Sequence, residues 1–114
     1  MIIHVLENAF GALLNVEWSE EEDGYEAIFY YGGTEHIARI DGKGVLLEVK
    51  ANLPLHMVEP PIARRALEVG ELMNLIKISR QDKYNFEIIA RDKYLDRFYL
   101  LLEPDGTLLE KRKL

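Results

Sequence analysis

The 114-residue chain has no cysteine, so disulfide staples and thiolate metal sites are excluded. Serine is nearly as scarce, and neither Ser19 nor Ser79 sits in the Gly-x-Ser-x-Gly turn that exposes a nucleophile. The three histidines, His4, His36 and His56, are far apart in the chain and show no His-Glu-x-x-His pairing. His36 reads as a hydrogen-bonded core residue. Glycine supplies no phosphate cradle, because Gly32-Gly33 and Gly42-x-Gly44 lie between strand-like runs rather than at a strand-to-helix loop. The acidic run Glu20-Glu21-Glu22-Asp23 lacks the spaced oxygen ligands and glycine of a calcium loop and reads as a solvated turn. No catalytic residue, metal site or cofactor is expected.

Positive charge is also thin. The formal net charge is −6, and the one basic run is Lys111-Arg112-Lys113. Nucleic-acid binders need a basic stripe to displace counterions from phosphates, so nucleic acid is not an expected partner. Long apolar runs are missing as well. Nothing approaches the roughly 20 residues that span a bilayer, so no membrane insertion by helices is expected. The segment MIIHVLENAF has neither the basic start nor the apolar stretch of a signal peptide. The expected location is therefore periplasmic or extracellular if a leader was removed, and otherwise cytoplasmic.

What remains is an ordinary globular balance, 48% hydrophobic and 30% charged, enough for one domain with an unstapled core. Residues 2–14 place Ile2, Leu6, Ala9 or Phe10, and Leu13 at helical spacing. Val16–Trp18 reads as a strand ended by the acidic turn. Tyr25–Tyr31 and Thr34–Ile40 flank Gly32-Gly33, a tight hairpin signal, and Asp41–Gly44 turns the chain into Val45–Lys50. Glu59-Pro60-Pro61 then opens a second helix. Its stripe, Ile62, Ala66, Val69, Met73 and Ile76, repeats at four-three-four-three spacing, and Arg64 and Glu68 are placed to pair on its solvent face. Strand texture returns at Ile76–Ser79, Tyr84–Arg91, Leu95–Glu103 and Thr107–Arg112.

The two halves have the same order, and "GKGVLLEVK" is echoed by "PDGTLLEKRK". The chain is read as a tandem duplication of an αββββ unit, with residues 1–53 and 54–114 as repeats of one domain. Each copy alone is too small to bury a core, so the pair should share one continuous antiparallel sheet with helices packed on one face, an α+β fold. Strand alternation assigns Tyr25, Ala27, Phe29, His36, Ala38, Ile40, Val45, Leu47, Val49, Phe86, Ile88, Ala90, Phe98, Leu100, Leu102 and Leu109 inward. The opposite face should carry Ile28, Tyr30, Ile37, Leu46, Ile89, Tyr99, Leu101 and Leu108 among Glu26, Glu35, Arg39, Glu87, Arg91 and Arg97. A one-sided sheet normally shows water a polar face. This mixture suits contact with a protein, either a foreign partner or a second copy, and the alternative is that these side chains cover one another on a twisted sheet.

The segments "DGYEAIFYYGGTEHIARIDGKGVLLEVKANLPL", "PPIARRALE" and "YNFEIIARDKYLDRFYLLLEPDGTLLEK" resemble tandem PepSY-like proteins, related in fold to the β-lactamase inhibitor protein. Asp41–Leu47 and Glu103–Leu109 match the turn in the last hairpin of each unit. The resemblance implies an exported, non-enzymatic protein with a concave sheet face that binds, inhibits or modulates a peptidase or other envelope protein. It implies no catalytic residues. The residues expected to meet a partner are Ile28, Tyr30, Ile37, Arg39, Tyr99 and Leu101. The competing expectation is a small cytoplasmic dimer of the secretion-chaperone type. That type usually ends in a helix, whereas this chain ends in strand texture.

Overall fold

The computed structural model describes residues 3–114. The first unit runs α1 (Ile3–Phe10), β1 (Glu17–Glu21), β2 (Gly24–Tyr31), β3 (Thr34–Asp41) and β4 (Leu46–Asn52). A single 3-10 turn, Leu55–Met57, leads to the second unit. That unit consists of α2 (Pro60–Val69), β5 (Glu71–Arg80), β6 (Lys83–Arg91), β7 (Arg97–Leu102) and β8 (Leu108–Lys113). The eight strands form one antiparallel sheet whose spatial order is their chain order.

The helices lie over one face and make two adjoining cores. Leu6 of α1 is buried with Ala27, Phe29, Ala38, Ile40 and Val49, while Phe10, Leu13, Val16 and Leu46 pack around them. Ile62 and Ala66 of α2 are buried with Leu75, Phe86, Ile88, Leu100 and Leu102. The paired residues Ala27↔Ala38 and Ala38↔Val49, then Val49↔Ser79 on the same face of β5 as Leu75, and Leu75↔Ile88 and Ile88↔Leu100, show that both cores use the same face. Between the cores that face carries Lys77, whose Nζ lies 4.4 Å from the centre of the Tyr84 ring.

The two units repeat in detail. Gly44 and Gly106 take positive φ, and each N–H donates to a carbonyl three residues back, Asp41 O at 3.1 Å and Glu103 O at 2.9 Å. A bulge follows at the same place in each unit, so that Ile40 faces Leu46 and Leu102 faces Leu108. These bulges correct the alternation read from the sequence. The extra residue turns Leu46 toward the core and leaves Leu47 exposed. Val45 is exposed too, and neither Leu108 nor Leu109 is buried, so the inward assignment of Leu109 does not hold.

Both helices are shorter than their periodicity predicts. Gly11, at φ +80°, ends α1 at Phe10, and Leu6 with Phe10 rather than the exposed Ala9 meets the sheet. The expected stripe member Ile2 lies outside the described residues. Helix α2 stops at Val69, because the chain at Gly70 passes so close to β6 that a Cβ there would sit 2.2 Å from the Arg91 carbonyl oxygen. Met73 and Ile76 therefore belong to β5, and their helical spacing is incidental. On α2 it is Arg65, not Arg64, that pairs with Glu68, at 2.9 Å. At the first hairpin, Glu20 and Glu21 extend β1 by pairing with Tyr25 and Gly24, which shortens the acidic turn to Glu22-Asp23.

Candidate functional site

Strand period two places every second residue of the sheet away from the helices. Through the registers Ile28↔Ile37, Ile37↔Lys50, Lys50↔Ile78 and Ile78↔Asn85, one row of this open face crosses β2 to β6. A second row runs Ile76, Glu87, Leu101 and Glu110 from β5 to β8, and a third joins Ile89, Tyr99 and Arg112. Among the described residues no second layer covers these rows.

All six residues singled out from the sequence lie on this face. Ile28, Tyr30, Ile37 and Arg39 sit on β2 and β3, whereas Tyr99 and Leu101 sit on β7. The two groups are separated by β4 to β6, since β2 and β7 are five strand spacings apart, about 24 Å. Tyr30, 67% exposed, and Arg39 stand clear of the sheet. The other four are half-buried by neighbours on the same face.

Between the two groups the sequence places Glu87, Ile89 and Arg91 on this face but not Glu48, Lys50, Ile76, Ile78 or Arg80, because the helical stripe runs into the start of β5. Ile78 is only 1% exposed although no helix covers its face. Its neighbours shield it. On one side Arg80 donates to Glu48 Oε1 from Nε at 2.8 Å and from the adjacent guanidinium nitrogen at 2.7 Å. On the other, Lys50 Nζ lies 3.6 Å from Glu87 Oε1. Glu48 is 6% exposed, a buried carboxylate whose charge is met by a guanidinium. Beside this centre is a hollow of about 130 Å³ lined by Glu35, Ile37, Lys50, Asn52, Asn74 and Ile76.

Tyr99 has the most distinctive environment on the face. Burial, and after it the nearby Glu87 carboxylate, push its phenol up to about 12. Arg112 stacks over the ring at 4.4 Å. At neutral pH the phenol is a protonated donor beside paired charges.

His36 lies on the helix side. Its Nδ1 donates to Thr34 O at 2.8 Å, and its ring stacks on Phe29 with centroids 5.5 Å apart. The geometry is that of a packed, hydrogen-bonded histidine. Among the described residues, no group of three His, Asp or Glu side chains could hold a metal ion, and no helix is long and apolar enough to cross a membrane.

No protein-family model matches the chain, and no curated protein matches it. Solved structures do. A DUF2874 family protein from Bacteroides uniformis superposes with a TM-score of 0.86 over 98% of this chain and 86% of its own, at 17% identity. A protein from Bacteroides eggerthii named for a periplasmic location gives 0.85 at 13% identity, over 98% and 86%. A BLIP-like protein from Bacteroides fragilis gives 0.83 at 14% identity, over 99% and 84%. At these identities the likeness is one of fold, and the α+β fold of this chain is BLIP-like.

Proposed function

We propose that the chain is a non-enzymatic protein-binding module that engages its partner through the open face of the sheet. The observation carrying this reading is the composition of that face. Ile28, Tyr30, Ile37, Ile76, Ile89, Tyr99 and Leu101 occupy it in rows interspersed with Arg39, Lys50, Glu87 and Arg112, without a covering layer among the described residues. Aromatic and aliphatic anchors with arginine at their margins are the composition enriched in protein interfaces. The central ion pairs hold the sheet surface in one shape, which lowers the ordering cost of binding.

Two finer statements rest on resemblance. The PepSY-like turn segments of the sequence and the BLIP-like neighbour favour an inhibitor or modulator of a peptidase or other envelope protein. The neighbour named for a periplasmic location favours an envelope or extracellular setting.

The test uses the immobilised chain beside a Tyr30→Glu/Tyr99→Glu variant that keeps the wild-type circular dichroism and melting profile. Proteins retained from an envelope extract by the wild type and lost from the variant are expected. Each is then purified and titrated against both forms, with peptidase and β-lactamase activity followed where the partner is such an enzyme. An identical set retained by both forms, with equal affinities, rules out the open face.

A further inference from the structure

An open meander has two edge strands, here β1 and β8. Among the described residues each pairs on one side only, leaving a row of backbone donors and acceptors available for another strand. Their charges are opposite. Glu20 and Glu21 of β1, with Glu22 following, are exposed, and so are Lys111, Arg112 and Lys113 of β8.

The molecule already contains one joint between units, β4 against β5, with Val49↔Ser79, Lys50↔Ile78 and Ala51↔Lys77 in register. The duplication tells how the outer strands would meet in the same joint. In the second unit Lys111, Arg112 and Lys113 pair with Leu100, Tyr99 and Phe98. In the first, Val49, Lys50 and Ala51 pair with Ala38, Ile37 and His36, so β8 stands where β4 stands. Likewise Glu20 and Glu21 pair with Tyr25 and Gly24, as Lys77 and Ile78 pair with Phe86 and Asn85. Glu22 therefore takes the place of Ser79.

We infer that β8 of one copy adds to β1 of a second copy in the register of the internal β4–β5 joint. That register sets Arg112 opposite Glu21 and Lys113 opposite Glu20, two cation–anion pairs in succession, with Lys111 beside Glu22 at the start of the β1–β2 turn. Direction agrees as well. Neighbouring strands alternate and their number is even, so β1 and β8 run oppositely. A head-to-tail joint is therefore antiparallel, with the helices of both copies on one side. The homotypic joints lack this match: β1 has no cation to face its own Glu20 and Glu21, and β8 offers only Glu110 against three cations. The present partners of the β8 cations do not bury them. Arg112 is 3.6 Å from Glu110 and Lys113 is 3.4 Å from Asp96, with side chains 61% and 62% exposed. Such an interface is heterologous, and it builds a ring or an open chain of copies rather than a two-fold dimer. It uses the sheet edges and does not depend on the open face binding a partner.

Analytical ultracentrifugation over a concentration series tests the joint. Wild type is expected to associate reversibly. Reversing either edge, E20K/E21K/E22K or K111E/R112E/K113E, should weaken association by about tenfold or more. Mixing the two reversed chains should restore it, because each then offers the edge that the other lacks. The wild-type net charge is −6, and the reversals bring it to 0 in the first variant and −12 in the second, so a loss of association in the neutral first variant cannot come from general repulsion and marks the loss of paired edges. The absence of cysteine gives a register test: copies carrying Glu21→Cys should form a disulfide with copies carrying Arg112→Cys, and neither should with itself. A wild type that stays monomeric throughout, or folded reversed chains that do not restore association, overturns the joint. If a triply reversed chain fails to fold, the cysteine pair decides, and absence of the mixed disulfide overturns the proposal.

Discussion

Gly44 and Gly106 occupy the same place in the two units, so the same substitution at each measures what the second unit has added. Both have positive φ, +86° and +93°. An alanine in a left-handed conformation costs about 1–2 kcal/mol. At Gly44 that is the whole cost, because the new Cβ would meet only Val5 Cγ2 at 4.0 Å. At Gly106 the Cβ would stand 2.9 Å from the carbonyl oxygen of Pro61, in the first turn of α2. Backbone there must move, and the 2.7 Å bond from Arg65 Nε to Gly106 O is strained with it. A hydrogen bond with a charged group is worth about 1.5–3 kcal/mol, part of which is lost when the bond is strained. Gly106→Ala should therefore lose about 3 kcal/mol, against about 1–2 for Gly44→Ala. In urea, with a slope of about 1.5 kcal/mol per molar, the midpoints should fall by about 2 M and about 1 M. Gly42→Ala, with open space and no positive φ, serves as the control and should not lower the midpoint. Equal shifts at Gly44 and Gly106, or a larger one at Gly44, would refute the packing of the last hairpin against α2.

Two further expectations concern the open face. Tyrosinate absorbance on alkaline titration should show one phenol ionising near 12, lost in Tyr99→Phe. The folded phenol holds its proton above the ordinary value near 10, so the two forms differ only above that value, and folding stability falls as pH rises from about 10 to about 12. Arg80→Ala leaves the Glu48 carboxylate buried without its guanidinium and should cost about 1–3 kcal/mol in thermal or urea unfolding. Replacing both residues with Arg80→Leu/Glu48→Leu should recover most of that loss. A double variant no more stable than Arg80→Ala alone would refute the desolvation argument.

The features legible in the sequence were those enforced by local chemistry. Gly44 and Gly106 are needed for positive φ, so the matching turns of the two units are legible in the residues. Period-two alternation correctly placed Ile28, Tyr30, Ile37 and Tyr99 away from the helices, since neighbouring strand residues must face opposite ways. A bulge breaks that logic without a sequence marker. Leu46 and Leu47 are chemically identical, and only the pairing of Ile40 with Leu46 decides which is inside. The end of α2 was hidden for a similar reason. Gly70 is tolerable in a helix by itself, and it ends this one because the Arg91 backbone lies against it, a contact between residues distant in the chain. The centre of the open face is hidden with it, because Ile76 fits both the helical stripe and the strand texture of 76–79, and that short run does not decide which way Ile78 points.

The order of the strands bears on how the molecule assembles. Six of the seven strand pairings join segments separated by a short turn, and only β4–β5 must close across an intervening helix. Loop-closure entropy rises with the length enclosed, so that cost is concentrated in a single step along an otherwise local folding route. Each unit can zip up its own hairpins cheaply; cooperativity between the units is contributed where β4 meets β5.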